Sequence, residues 1–473
     1  MKRGILFCFV CFLAIVTVQL YGEETVTSDI NEEDMFSDGM INDDTTTETE
    51  NDKVDKEDPF ADDMVEEFDD TNLDSGLENL LLKSDKMEWG GRYKFSLSPS
   101  WTWQSDNLTG DYIMKNITEA DISAFTTTLQ ATIFFDARPD ENFRVFGKTE
   151  INAPLETSSE RTLEDIISIR ELFSDFNWKD TLFFRAGKQT IKWGVGYFFS
   201  PADVLNLIPI DPEEPELDRE GPLSLKLQIP ISIHNLYFYL LADNASYPED
   251  IGIASKFEFV MGTLETGIGG FYQKDSPPNG VVLLSYPVLS YLDLFGEAVI
   301  SYGSNETFLE EVDGIPAFVS KDDEMFFSGT IGFSFSLNQV DTEWEAVSLI
   351  VQYFYNGQGI SETSLLDYAP DLGFIPNSNV IFQGLLARSM HYAAGSLMWS
   401  EIFDSDFSAS LFWIGNLADG SGQIIPSITW NIMDYASTVL SFPITYSGQL
   451  AELVPMNQSI GVKLEVSLGS GNF

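Results

Sequence analysis

Residues 462–468 read Val462-Lys463-Leu464-Glu465-Val466-Ser467-Leu468. Every other side chain is apolar, and those between are charged or hydroxylic. Successive side chains of an extended strand point to opposite sides, so a period of two means one apolar and one polar face. The pattern recurs upstream. Ile331, Phe333, Phe335 and Leu337 alternate with Thr330, Gly332, Ser334 and Ser336; Leu223, Leu225, Leu227 and Ile229 alternate with Ser224, Lys226 and Gln228; Tyr93, Phe95 and Leu97 alternate with Arg92, Lys94 and Ser96. From Trp89 onward the chain reads as about 18 such strands, the first over 89–104 and the last over 458–469, with 16 as the other count that fits an even-numbered membrane barrel.

The connections carry the topology. Short ones (137–141, 179–180, 231, 261–262, 289–290, 338–343, 400–405, 433–434) alternate with long ones (105–120, 153–165, 192–221, 243–249, 275–278, 303–323, 357–385, 416–421, 447–457). Antiparallel membrane barrels keep short periplasmic turns at one end and long outer loops at the other, whereas a soluble sandwich has no reason to keep that parity. All nine Trp residues fall at expected strand ends, where amphipathic rings favour the membrane–water boundaries. The fold class expected is therefore all-β: a transmembrane, antiparallel, up-and-down barrel.

Composition sets the bounds. Residues 1–22 carry Lys2 and Arg3 ahead of an apolar run, Ile5 to Val18; the pattern is a signal peptide, too short in its apolar part to span a membrane. Both cysteines, Cys8 and Cys11, lie inside it, so the exported chain is expected to have neither disulfides nor thiolate metal sites. Lipidation at Cys11 is the rival reading; Val10 before it is not small. Residues 23–88 hold 25 acids and 4 bases and read as an acidic, largely disordered periplasmic tether, because its first part has too little apolar surface to offset the entropy of ordering. Apolar residues return between Pro59 and Met87, enough for one or two short amphipathic helices. Residues 89–473 are the expected barrel. A formal net charge of −50 opposes nucleic-acid binding.

The segment from Thr181 to Gly221 stands apart. A strand (TLFFRAGKQT) runs into a long Gly/Pro-broken connection with the aromatics Trp193, Tyr197, Phe198 and Phe199, then the acids Asp211, Glu213, Glu214, Glu216 and Asp218. A long connection without its own secondary structure is usually functional or disordered, and aromatic content argues against disorder. Arg185-x-Gly187-Lys188-Gln189-x3-Trp193-Gly194, followed by Ser200-Pro201-x-Asp203-x2-Asn206, resembles a pattern of porin-like outer-membrane barrels, among them the alginate-export-type and related uncharacterised families. The resemblance covers about forty residues. It implies a solute-passing barrel and names no solute.

Enzyme chemistry is poorly supplied. There are two histidines, His234 and His391, and no nucleophile motif, metal cluster or phosphate loop stands out; no catalytic residue, metal or cofactor is expected. Ser389 and His391 fall on one face of an expected strand, but a hydrolase needs an oriented third group as well. Asp419-Gly420 resembles a calcium-friendly turn and, more simply, a hairpin. The function expected is passive diffusion of small solutes, with cations and neutral solutes preferred over anions. A fatty-acid-type transporter of hydrophobic substrates and a surface adhesin or antigen on a barrel scaffold are the alternatives. The lumen and constriction are expected to be built by Arg185, Gln189, Trp193, Asp203, Asn206, Asp211, Glu213, Glu214 and Asp218, with Arg144, Lys226 and Arg388 on the wall. The aromatics should pack the loop on the wall, a carboxylate paired with Arg185 should pin it, and its acids should lie across the opening. The partners expected are the outer-membrane bilayer, the barrel-assembly machinery and small solutes, with homo-oligomerisation left open.

Overall fold

A computed structural model describes residues 87–104, 120–155, 162, 166–179, 181–215, 219–243, 245–312, 315–337, 347–359, 389–403, 405–433, 435–446 and 458–469. The strands run in chain order: β1 (Met87–Gln104), β2 (Ile122–Asp140), β3 (Phe143–Pro154), β4 (Ile167–Trp178), β5 (Leu182–Lys188), β6 (Leu223–Ile231), β7 (His234–Leu241), β8 (Gly252–Met261), β9 (Leu264–Tyr272), β10 (Asn279–Leu289) and β11 (Leu292–Tyr302). After these come β12 (Thr307–Val312), β13 (Ile315–Ser320), β14 (Met325–Leu337), β15 (Val347–Tyr355), β16 (His391–Trp399), β17 (Phe407–Asn416), β18 (Gly422–Met433), β19 (Ala436–Ser441), β20 (Ile444–Tyr446) and β21 (Ser459–Leu468). β12 and β13 pair only with each other, as a hairpin within a long loop. β19 and β20 both pair with β18 on one side and β21 on the other. They are two pieces of one strand, broken at Phe442-Pro443, where proline has no N–H to give the ladder. The remaining pairings are antiparallel between neighbours, and β1 pairs with β21 (Trp101 opposite Val462). The sheet thus closes as an 18-stranded up-and-down barrel, the fold class that the alternation implies.

Closure removes every free edge, so each strand's backbone groups find partners without water, which a membrane-spanning sheet requires. The two faces then divide by chemistry. The apolar phase points out: Phe125 is 59% exposed, Ile268 52% and Ile331 65%, and Leu225, Leu240, Leu284, Ile300, Leu397 and Leu411 share that outer surface. The polar phase points in, where Arg144, Asp175, Arg185, Lys256, Glu297 and Gln352 are all buried. An aromatic belt surrounds the short-turn end. Trp89 and Trp178 are exposed there, Trp430 stacks on Phe407 at 5.6 Å and Trp399 meets Phe403 edge-on. Two of the nine tryptophans depart from the girdle expected of them. Trp193 is buried with the lumen wall, and Trp103 is also buried. Trp344 lies outside the described residues.

At the short-turn end the hairpins use left-handed backbone at Lys179, Ser232 and Gly262 (φ 56°, 61° and 68°), which matches the twist of the strands they join. Asp419 Oδ1 accepts from the Ser421 N–H and hydroxyl, and Gly420 has φ 72°; this is the hairpin reading of that turn. Residues 1–86, with the signal peptide, tether and amphipathic segment expected of them, lie outside the described residues, as do Asp218, Arg388 and Phe473.

Candidate functional site: the segment folded into the lumen

The chain leaves β5 at a closed neck. Lys188 pairs with Glu220, the Thr190 hydroxyl donates to the Arg219 carbonyl at 2.9 Å, and Gln189 N–H donates to Pro222 O at 3.3 Å. Gly221 is obligatory here, because a Cβ on it would collide with the Gln189 carbonyl. Gln189 itself is buried, its amide donating toward the Arg185 and Ser224 carbonyls at 3.5 and 3.4 Å. Asn206 closes the first half of the loop on itself: Ile191 N–H donates to its Oδ1 (2.9 Å), and its Nδ2 donates to Ile191 O (2.7 Å) and to Asp203 Oδ1 (2.6 Å). Asp203 pairs with Arg219, whose guanidinium burial pushes below its ordinary pKa while the Glu297 charge holds it up.

Between these ties the segment packs across the barrel. Ile191, Trp193, Ala202 and Leu205 form one buried cluster with Tyr239, Leu241, Ala254, Val281, Leu283 and Val299, from β7, β8, β10 and β11. Phe198 and Phe199 form a second with Ile350, Tyr392, Ala394 and Ile414, from β15, β16 and β17. Burying a large apolar side chain is worth roughly 1.5–3 kcal/mol, so Trp193, Phe198 and Phe199 supply much of what holds the segment to the wall. Trp193 meets Tyr239 edge-on at 5.4 Å and lies under the Lys256 ammonium at 5.3 Å. Phe199 stacks on Phe354 at 5.3 Å.

Two wall residues take up the segment's backbone. Glu297 Oε2 accepts from the N–H groups of Val195 (2.7 Å) and Gly196 (3.2 Å), and its Oε1 accepts from Ala202 (3.1 Å). Gln352 Oε1 accepts from Tyr197 (3.1 Å), Phe198 (2.7 Å) and Phe199 (3.4 Å), while its Nε2 donates to Phe199 O (2.5 Å) and Thr330 Oγ1 (2.6 Å). A buried backbone amide without a partner is costly; here six loop amides, those of residues 195–199 and 202, are met by two side chains. Gly194 allows the approach, since a Cβ there would collide with Ser200 Oγ and press on Glu297.

The acidic half reaches a third stretch of wall. Glu213 lies against Gln423 of β18 and near Lys463 of β21. Its side chain keeps an exposed edge, yet burial, then Asp211 and Glu214, push its carboxyl above the ordinary value; the Gln423 hydrogen bond and Lys463 oppose this. The segment thus leaves β5, crosses to the β7–β11 and β15–β17 walls, reaches β18 and β21 at Glu213, and is tied back at the neck by Arg219 and Glu220.

Arg185 takes another role than the one expected. It faces the lumen, but its guanidinium is held in the wall by Asp175 (Nε–Oδ1 2.7 Å, Nη2–Oδ2 3.2 Å) and lies over the Phe173 ring at 4.0 Å. Arg144 joins the same ladder, 3.6 Å from Asp175 and 3.0 Å from Asp136. Asp175 is the nearer carboxylate because it sits opposite Arg185 in the β4–β5 register. Lys226 is next along the register and lies over the Tyr237 ring at 5.4 Å. The carboxylate–guanidinium pair of the loop is Asp203–Arg219, within the loop itself. The residues that sequence reasoning missed as clamps are Glu297 and Gln352.

Ser389 and His391 belong to separate networks. Ser389 is buried and accepts from Asn416 Nδ2 at 2.6 Å. His391 bonds the Tyr353 hydroxyl at 2.7 Å and packs against Tyr355. Among the described residues no group of three His, Asp or Glu side chains is arranged to hold a metal.

On the long-loop side of the segment lies a cavity of about 580 Å³, bounded by Pro201, Val204, Leu205 and Asn206 of the loop and by residues of β7, β9–β11, β14 and β15. A closed antiparallel barrel, apolar outside and polar within, with one of its long loops folded into the lumen, defines the architecture: an 18-stranded β-barrel of the membrane-spanning kind.

No protein-family model matches the chain, and no curated protein matches it. Solved structures with a similar course include OccK11 (OpdR) of Pseudomonas aeruginosa, at 7% identity and a TM-score of 0.44, covering 81% of this chain and 96% of that one. OpdQ of the same organism gives 8% and 0.45, covering 82% and 97%, and its outer membrane protein opdK gives 8% and 0.43, covering 81% and 99%. At those values the class rests on the strand pairing and the lumen described above.

Proposed function

We propose that the chain is an outer-membrane channel for passive diffusion of small solutes, preferring cations and neutral solutes to anions. The observation that carries the reading is the segment from Ile191 to Gly221, packed on three stretches of the lumen wall. A barrel of 16–18 strands leaves an aqueous channel unless something narrows it, and this segment is the narrowing element. Asp211, Glu213 and Glu214 stand at its far end, and fixed negative charge in a narrow pore enriches cations and excludes anions. The wall is wet and charged, which suits polar solutes better than the hydrophobic substrates of a fatty-acid-type transporter. The reading is of a channel, not an enzyme.

The resemblance of residues 185–206 to alginate-export-type barrels fits this reading, because Gln189, Trp193, Asp203 and Asn206 all serve to fold the segment inward. Residues 1–22 as a signal peptide and 23–88 as a periplasmic tether complete the proposal, with the outer-membrane bilayer and the barrel-assembly machinery as partners. Purified protein in a planar bilayer should give discrete conductance steps and a reversal potential shifted toward cations in a salt gradient, more so at low salt because screening is weaker. A bilayer that stays silent with correctly folded, heat-modifiable protein would overturn the channel reading, and an anion-shifted potential would overturn the selectivity.

A further inference from the structure

The cavity above the inward segment has a chemistry that differs from the charged wall below it. Six of its lining side chains are primary amides: Asn206, Gln273, Asn279, Asn305, Asn356 and Gln358. Ser301 and Ser328 add hydroxyls, and Asp243 and Glu306 are the acids. No Lys or Arg lines it among the described residues. Phe271, Phe354, Pro201 and Pro277 supply apolar faces. Its volume, about 580 Å³, falls within the roughly 300–1,000 Å³ of small-molecule sites.

The lining is held in place. Gln273 Nε2 donates to Asp250 O at 2.9 Å and Asn279 Nδ2 to Pro277 O at 3.1 Å, which leaves the amide oxygen of each without a partner among the described residues. Gln358 Oε1 accepts from Ser304 Oγ at 2.9 Å, and its Nε2 reaches Ser301 Oγ at 3.4 Å. Phe354 is fixed by its stack on Phe199, and Phe271 by packing against the Trp193 cluster. Asn305 is exposed and has no partner among the described residues.

We propose that this cavity is a binding site for a neutral polyhydroxylated solute, a short saccharide, taken up at the outer mouth before it passes the narrowing segment. Amides present a donor and an acceptor in one plane, and the vicinal hydroxyls of a sugar need both. Aromatic and proline faces match the apolar C–H face of a pyranose ring. Among the described lining residues there is no cation, and Asp243 and Glu306 are acids, a charge balance that disfavours an anionic sugar. The site rests on the channel reading for its place in transport but not for its chemistry, so the two are tested apart.

Maltotriose is titrated into the detergent-solubilised full-length protein by calorimetry, and separately into the protein reconstituted in a planar bilayer. The proposal predicts saturable heat and a matching concentration-dependent block of the ion current. It predicts at least a fivefold weakening of both in Asn305→Ala/Gln273→Ala, positions at the cavity and away from the Glu297 and Gln352 clamps. Trigalacturonate, the anionic counterpart, should bind weakly. Absence of saturable heat with maltotriose overturns the proposal whether or not the protein conducts. It is also overturned if trigalacturonate binds as well as maltotriose, or if a size-matched polyethylene glycol blocks equally and the double variant changes nothing. Saturable maltotriose binding by a protein that does not conduct would leave the site standing and remove the channel reading.

Discussion

Replacing Glu297 by Ala removes the carboxylate that receives the amides of Val195, Gly196 and Ala202. Hydrogen bonds to a charged group contribute roughly 1.5–3 kcal/mol each. They are not additive, and water in the lumen would recover part of the loss. The net weakening of the packed segment is then on the order of 4 kcal/mol, about a thousandfold in the ratio of packed to released states. The aromatic clusters and Gln352 remain, so the segment should detach transiently. Single-channel recording should show added open-state noise and excursions to higher conductance in Glu297→Ala. Glu150→Gln, which alters a wall pair with Arg170 (2.6 Å), serves as the control and should record as the unaltered protein does. A Glu297→Ala trace with unchanged conductance and noise would refute the clamp.

Arg185→Ala should act on the barrel and not on the segment: Asp175 loses its bidentate partner and keeps only Arg144, at 3.6 Å, a cost below the roughly 3–5 kcal/mol of a fully orphaned buried charge, read as a lower midpoint of heat modification with the current noise unchanged. Because the Glu213 carboxyl is pushed up by burial and by Asp211, acidification should neutralise it before ordinary carboxylates. Cation preference should therefore begin to fall at a pH above the ordinary Glu value, and in Glu213→Gln that early step should be missing. By linkage the ionised form is the one disfavoured in the folded protein, so protonating Glu213 relieves rather than loosens the segment. Topology is checked by cysteine labelling of intact cells: Asn305→Cys, on the long-loop side, should react with an impermeant maleimide, and Ser232→Cys, in a short turn, should not.

The strands were legible because alternation is a local signal, clearest in β1, β6, β14 and β21. Their ends were less so. The strand read from TLFFRAGKQT stops at Lys188, one residue after Gly187, which takes φ 140° and where a side chain would strike the Leu172 carbonyl. The hairpin of Thr307–Val312 with Ile315–Ser320 lies inside the connection that the sequence marks over 303–323. The inward packing of the segment was signalled by its aromatics, but what holds it was not. Glu297 lies 102 residues from Val195, and Gln352 lies 154 from Phe198, and no local pattern spans that distance. A trace was present: Tyr239, Leu241, Val299 and Ile350 are apolar residues on the lumen phase, and a wet wall has no use for them unless something covers them. Arg185 misled because its charge was visible in the sequence while its partner in register across the β4–β5 pair was not.

The central claim is that the segment between β5 and β6 lies in the lumen and narrows it. Its neck brings Thr190 and Arg219 close, through the Thr190 hydroxyl bond to the Arg219 carbonyl and the Gln189 N–H bond to Pro222 O, so residues 192–218 can be replaced by a short Gly-Ser linker without opening the barrel. Single-channel conductance and reversal potential of this variant, measured beside the full chain, test the claim most directly. The account predicts a conductance several-fold higher together with a loss of cation preference. Unchanged conductance and selectivity in a variant that remains heat-modifiable would place the segment outside the ion path and contradict it.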